Sequence, residues 1–245
     1  MSNEPKLVLP PLPAYECVQA PRAPVLDGSL ADPVWELAAP LRLVECVAGG
    51  PAAQATTVRL LWHADYLYLG AEIDEWDIED HNTKHNDPVF SEQCVELFLA
   101  APSGVPKPSG DSWRYLEMDT APQGIFWDGR IENPRPENAA PDAKYRISID
   151  ETYYPPDLRA LTTIDGTVNN PSDRDRGWRL ELQVPFTGPP GGRPPQPGEV
   201  WRANFYRIHG WQQPDQELQA WSVVGVPNFH MPHRFGYLKF AGPSA

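Results

Sequence analysis

The sequence predicts an all-β protein, an antiparallel β-sandwich with one short helix near the N-terminus. Two observations carry this. Apolar and polar residues alternate at period two in run after run, the pattern of half-buried strands. Proline fills 30 of the 245 positions; it is excluded from helix interiors and central strands, so this abundance favours short strands joined by structured loops. No βαβ alternation and no internal repeat competes with that reading. Hydrophobic residues make up 41% and aromatics 11% of the chain, enough for a large folded core.

Taken in order, Met1–Pro13 reads as a proline-rich tail and Tyr15–Gln19 as a first strand. Asp32 precedes Pro33 and Trp35, so a helix of one or two turns is expected, capped by Asp32 with proline at its first position. Leu41–Val47 is a strand. Val58–Trp62 and Tyr66–Ile73, joined by His63-Ala64-Asp65, form a hairpin. Leu67, Leu69, Ala71 and Ile73 give its second strand one apolar face. Cys94–Leu99 alternates likewise, with Val95, Leu97 and Leu99 opposite Glu96 and Phe98. Between the hairpin and that strand lies a polar loop from Glu75 to Ser91, where binding residues held by a scaffold are expected. Trp113–Asp119, Gly124–Trp127, Tyr145–Ile149, Leu158–Ile164, Trp178–Val184, Val200–Ile208, Leu218–Val223 and Phe235–Phe240 continue the strands. Arg130–Asp142 is expected to cover the surface. The division is residues 1–23, tail and first strand, and residues 24–245, one sandwich domain.

The net charge is −13. Such a surface repels phosphate backbones and anionic lipid, so nucleic-acid and membrane partners are not expected. No run approaches the roughly 18 apolar residues of a membrane span, and Leu7–Leu12 is too short and proline-broken for a signal peptide. A cytoplasmic location is expected for the chain as it stands, and a secreted one if the true start lies upstream. Cys17, Cys46 and Cys94 contain no CxxC pair and read as buried hydrophobes, with one Cys17–Cys46 bridge open.

His81 and His85, flanked by Asp80 and Asp87, form the richest metal-capable cluster, although HxxxH suits zinc only on a helix. Asp74, Glu75, Asp77, Glu79 and Asp80 offer oxygen ligands for calcium, without EF-hand spacing. A solvated polar loop is the plainer reading of both. Glu96, Glu117, Asp119 and Glu181 lie on expected strands, but nothing in the sequence pairs two of them as a glycosidase needs. No GxSxG, P-loop or dinucleotide fingerprint is present, so a catalytic role has no motif behind it.

Several pieces, in order, resemble the family 9 carbohydrate-binding modules, β-sandwiches related to the DOMON group. They are Val25-Leu26-Asp27-Gly28 with Asp32-Pro33-Val34-Trp35, the hairpin, Cys94–Leu99, Gly177-Trp178 through Val184-Pro185-Phe186, Trp201–Arg207, Ala220-Trp221-Ser222 and Asn228–Gly236. The resemblance implies a non-catalytic module that clamps a mono- or oligosaccharide between two aromatic rings at the sandwich edge and carries structural calcium. Its clamp positions fall on Phe90 and Phe229, where the family has tryptophan. Its acidic residue falls on Glu96, with Asn228 and His230 beside the second clamp. The family's asparagine before that clamp falls on Val226, and its arginine has Glu117 as nearest counterpart, with Arg114 close by. Sugar rings stack their C–H faces on aromatics while hydroxyls need fixed partners, so this set suits a saccharide. The plainer alternatives are loop anchors for the two phenylalanines and a solvated strand face for Glu96. Because some DOMON relatives hold haem between methionine and histidine, Met118, Met231, His209, His230 and His233 are its conceivable ligands. A glycan hydrolase or its accessory module, or a ligand-free interaction module, are the remaining alternatives.

Overall fold

The computed structural model describes residues 8–106, 112–136, 143, 145–152, 156–188, 191–210 and 212–243. Residues 1–7 of the expected tail and 137–142 of the expected cover lie outside them.

Fourteen strands are found among the described residues: β1 Ala14–Gln19, β2 Leu41–Arg42, β3 Val44–Glu45, β4 Thr56–His63, β5 Tyr66–Asp74, β6 Cys94–Ala100, β7 Trp113–Thr120, β8 Phe126–Asn133, β9 Ser148–Asp150, β10 Arg159–Asp165, β11 Gly177–Pro185, β12 Val200–His209, β13 Glu217–Ala220 and β14 Gly236–Pro243. The all-β class holds. The short helix does not: Pro33–Leu37 is a 3-10 turn. Asp32 caps it as expected, accepting from the Val34 N–H at 3.0 Å. Trp35 halts it early, because its ring is drawn into the layer over β4 and β5 with Leu61 and Tyr68.

The strands form one hydrogen-bonded sheet in the order β10-β11-β5-β4-β1-β14-β12-β6-β7-β8-β9. It is not wholly antiparallel. β1 runs parallel to both β14 and β4; period two fixes which side chains face inward but carries no information on strand direction. β1 therefore lies inside the sheet, between β14 and β4. Leu41–Val47 breaks into two short strands pairing with different partners, β2 with β4 and β3 with β13. β8 is longer than expected, taking in Arg130–Asn133.

The halves of the sheet share one core. Leu60, Leu69, Ala71, Leu180 and Leu182 from one half pack with Val95, Leu97, Leu99, Met118 and Phe205 from the other. The opposite face of β6, β7, β8 and β12 is also apolar, with Phe98, Tyr115, Trp127 and Tyr206, and is covered by the segment carrying Val224, Phe229, Met231 and Phe235. β6 is thus buried along its whole length, as strands covered on two sides are. The N-terminal segment is locked to β11: Glu181 accepts from the Asp27 and Gly28 N–H groups at 2.7 and 2.6 Å and from the Trp35 indole at 2.8 Å. Gly28 has φ +82°, and a Cβ there would meet the Thr162 backbone at 2.7 Å, so this contact needs glycine.

All three cysteines are free and buried. Cys17 and Cys46 lie in different cores, which removes the bridge. No helix among the described residues is long and apolar enough to cross a membrane.

Candidate functional site

A pocket of about 500 Å³ opens on the outer face of β6, β7 and β12. Phe90, Glu96, Asn228, Phe229 and His230 all line it, joined by Glu117, Trp127 and Ile208. The five expected residues, spread from Phe90 to His230 along the sequence, therefore converge. They do so over the face of the sheet rather than at its edge, because the second apolar layer leaves a hollow where β6 and β7 present acids instead of hydrophobes.

Each wall has a local cause. Val89 is fully buried while Phe90 is 40% exposed; one residue plugs the core and its neighbour is held out at the rim. The Phe90 ring meets Trp127 edge-on, centroids 6.0 Å apart at 89°. Trp127 lies across Gly129, where a Cβ would come within 2.6 Å of the indole. Phe229 departs from a free clamp. It is 9% exposed, and one ring face is taken by Tyr206, stacked at 4.1 Å and 9°. The Tyr206 hydroxyl donates to the Phe229 carbonyl at 3.0 Å, fixing that ring at the pocket wall.

Glu96 is not on a solvated face. It is 2% exposed and Glu117 7%; together they form the polar floor. Burial raises the Glu96 carboxyl to about 8, and burial followed by the Glu96 charge pushes Glu117 well up. Burial alone lowers His230 to about 4, leaving a neutral imidazole at pH 7. Asn133 donates to the Tyr115 hydroxyl oxygen at 3.3 Å. The Tyr115 hydroxyl in turn pairs with His230 Nδ1, 2.9 Å away. The Asn228 side chain accepts from the His230 N–H at 2.9 Å.

The long loop is tied down along its length. Glu75 accepts from Arg207 at 2.6 Å and pairs with His209 at 3.0 Å, all three buried. Asp80 accepts from the Gln123 and Asn82 N–H groups, and the Asp128 carboxylate meets His85 Nε2 at 2.6 Å.

These partners disperse the expected metal ligands. His81 faces Glu92, His85 faces Asp128, and Asp87 accepts from Thr83 and Lys84 N–H groups. Asp74, Asp77, His81, His85 and Asp87 do not converge. Among the described residues, the one group of three such donors is Glu96, Glu117 and Asp119. Met118 packs in the opposite core from Met231. Arg114 lies on a separate surface, donating to the Ser103 carbonyl at 2.9 Å.

Trp127 is the residue that sequence reasoning missed. The signal was the glycine two positions later, on the same face of the strand, which makes room for a large ring to lie flat along the sheet.

Residues 26–108 match the family described as carbohydrate family 9 binding domain-like. No curated protein matches the sequence. In fold, the chain is similar to a candidate carbohydrate-binding protein from Bacteroides uniformis, at 17% identity and TM-score 0.65, covering 93% of this chain and 98% of that one. It is also similar to a family 9 carbohydrate-binding module from Caldicellulosiruptor kristjanssonii in complex with cellotriose, at 14% identity and TM-score 0.62, with 95% of each chain covered. A glucose complex of a family 9 module from the same organism aligns at 15% identity and TM-score 0.58, over 94% of this chain and 97% of that one. Residues 26–108 are thus similar in sequence to the carbohydrate family 9 binding domain-like family, and over most of its length the chain is similar in fold to these family 9 modules.

Proposed function

We propose that the protein binds a mono- or oligosaccharide, without chemical change, in the pocket over β6, β7 and β12. One observation carries the reading. Residues singled out for sugar contact from distant parts of the chain line a single pocket of about 500 Å³, the scale of a small-ligand site. Phe90 and Trp127 offer apolar ring surface, Glu96 and Glu117 a polar floor, and His230 and Asn228 a rim of hydrogen-bonding groups. Similar folds holding cellotriose and glucose support the choice of ligand class. We read the doubled-over sheet as a β-sandwich of the DOMON-related kind, with the ligand seated on its face.

The convergence of Glu96 and Glu117 brings a second reading, a glycan hydrolase. It is weaker on geometry. Both acids rise from neighbouring strands of one floor, whereas hydrolysis needs carboxyls flanking the scissile bond. Isothermal titration with glucose, xylose and their oligomers tests the binding reading. Saturable binding, weakened about tenfold or more by Phe90→Ala, is expected. An absence of binding across the panel, or turnover of an oligomer abolished by Glu96→Gln, would overturn it.

A further inference from the structure

Glu96 and Asp119 face each other across the β6–β7 ladder, and Glu117 stands two residues along β7 on the same side. One carboxylate oxygen from each lies within 4.8 Å of the others. All three side chains are at least nine-tenths buried, Asp119 completely. Both Asp119 oxygens and Glu117 Oε2 lack a hydrogen-bond partner among the described residues. Glu96 takes a contact from the Cys94 thiol at 3.5 Å. His230 Nδ1 lies 3.8 Å from Glu117 Oε2 but is engaged by the Tyr115 hydroxyl. Buried acids in this condition are costly unless a cation joins them. They also stand where one has access, since Glu96 and Glu117 line the open pocket.

We propose that Glu96, Glu117 and Asp119 form a seat for one divalent cation of the calcium class at the pocket floor. Neighbouring hydroxyls of the bound saccharide complete its shell. Calcium takes six to eight oxygens at roughly 2.3–2.6 Å, so two ligands on one ion lie at most about 5 Å apart, and the three acids meet that limit. An all-carboxylate set selects hard cations over the soft metals that thiolates attract. Three acids from one side leave the pocket-facing half of the shell open, and calcium tolerates such irregular, exchangeable coordination. The role of the saccharide rests on the carbohydrate reading; the seat itself does not.

The test uses the whole chain, stripped with EDTA and desalted, titrated with calcium chloride alone and then with magnesium chloride alone. Saturable calcium uptake is expected, reduced at least tenfold in Asp119→Asn and in Glu117→Gln. Calcium should raise the Tm of the parent protein and leave that of Asp119→Asn unmoved. In EDTA that variant should melt no lower than the parent, which separates lost ligation from lost folding. No uptake, uptake in both variants equal to that of the parent, or uptake lost instead in a double Asp74→Asn, Asp77→Asn variant would overturn the seat. Cellotriose titrated with and without calcium then tests the shared shell. Binding at least tenfold weaker in EDTA is expected. Equal binding in both overturns the coordination and leaves the carbohydrate reading standing. Calcium uptake with no saccharide binding overturns that reading and leaves the seat.

Discussion

The two phenylalanines of the site have different physical roles, and substitution should separate them. Phe90 stands at the rim, 40% exposed, and Phe229 is a buried ring stacked on Tyr206. Phe90→Ala should weaken saccharide binding with little change in stability, because an exposed ring contributes little to folding. Phe229→Ala should lower stability by about 3 kcal/mol through the cavity it leaves, read as a shifted urea midpoint. Gly129→Ala tests the placement of Trp127. The added methyl would lie 2.6 Å from the indole and 3.2 Å from Ile149, and both flank the pocket. A stability loss of about 1–3 kcal/mol and weakened binding are expected; unchanged binding would show that Trp127 is not a ligand wall. The positions of Phe90, Glu96 and Phe229 were legible in the sequence through the order of the motifs. Their burial was not. Period two places Glu96 opposite Val95 and Leu97, but only tertiary structure shows that a second apolar layer covers that face.

Among the elements, the long loop depends on its first residue. Glu75 leaves β5 and is held by Arg207 and His209 of β12, with Arg207 also donating to the Gln54 carbonyl at 3.3 Å. Arg207→Ala would strand a fully buried carboxylate, so a loss of about 3–5 kcal/mol is expected, read by chemical denaturation. A loss below about 1 kcal/mol would show that the pair does not hold the loop start. Sequence reading took Glu75 as one acid of a calcium-binding run, since local acidity does not reveal that an arginine 132 residues later neutralises it. The hairpin was read almost to the residue, because its alternation and short connection are local. The 3-10 turn was not, because the pull of Trp35 on its ring partners overrides the helix signal of Asp32-Pro33.

For the whole molecule, the buried floor makes stability depend on pH. Burial raises Glu96 to about 8, and burial with neighbouring charge raises Glu117 and Asp119 well above their ordinary values. The folded state therefore holds more protons than the unfolded one. These groups contribute stability that is complete below about pH 4 and is lost as pH rises toward 8 and beyond. His230 acts oppositely: lowered to about 4 by burial, it contributes stability above its unfolded value near pH 6.5 that is lost on acidification through 4. Among the described residues, the titratable groups facing these three acids include Cys94, Asp128 with His85, Tyr115, Tyr206 and His230. In EDTA, the stability advantage of Asp119→Asn over the parent should widen from pH 5 to pH 8; parallel curves would contradict the burial of an ionisable acid there. The central claim is that a saccharide occupies the pocket over β6, β7 and β12, and a crystal structure of the protein with cellotriose tests it most directly. Sugar density against Phe90 and Trp127, above Glu96 and Glu117, is the expected result. Sugar bound elsewhere on the sheet, with this pocket holding solvent alone, would contradict it.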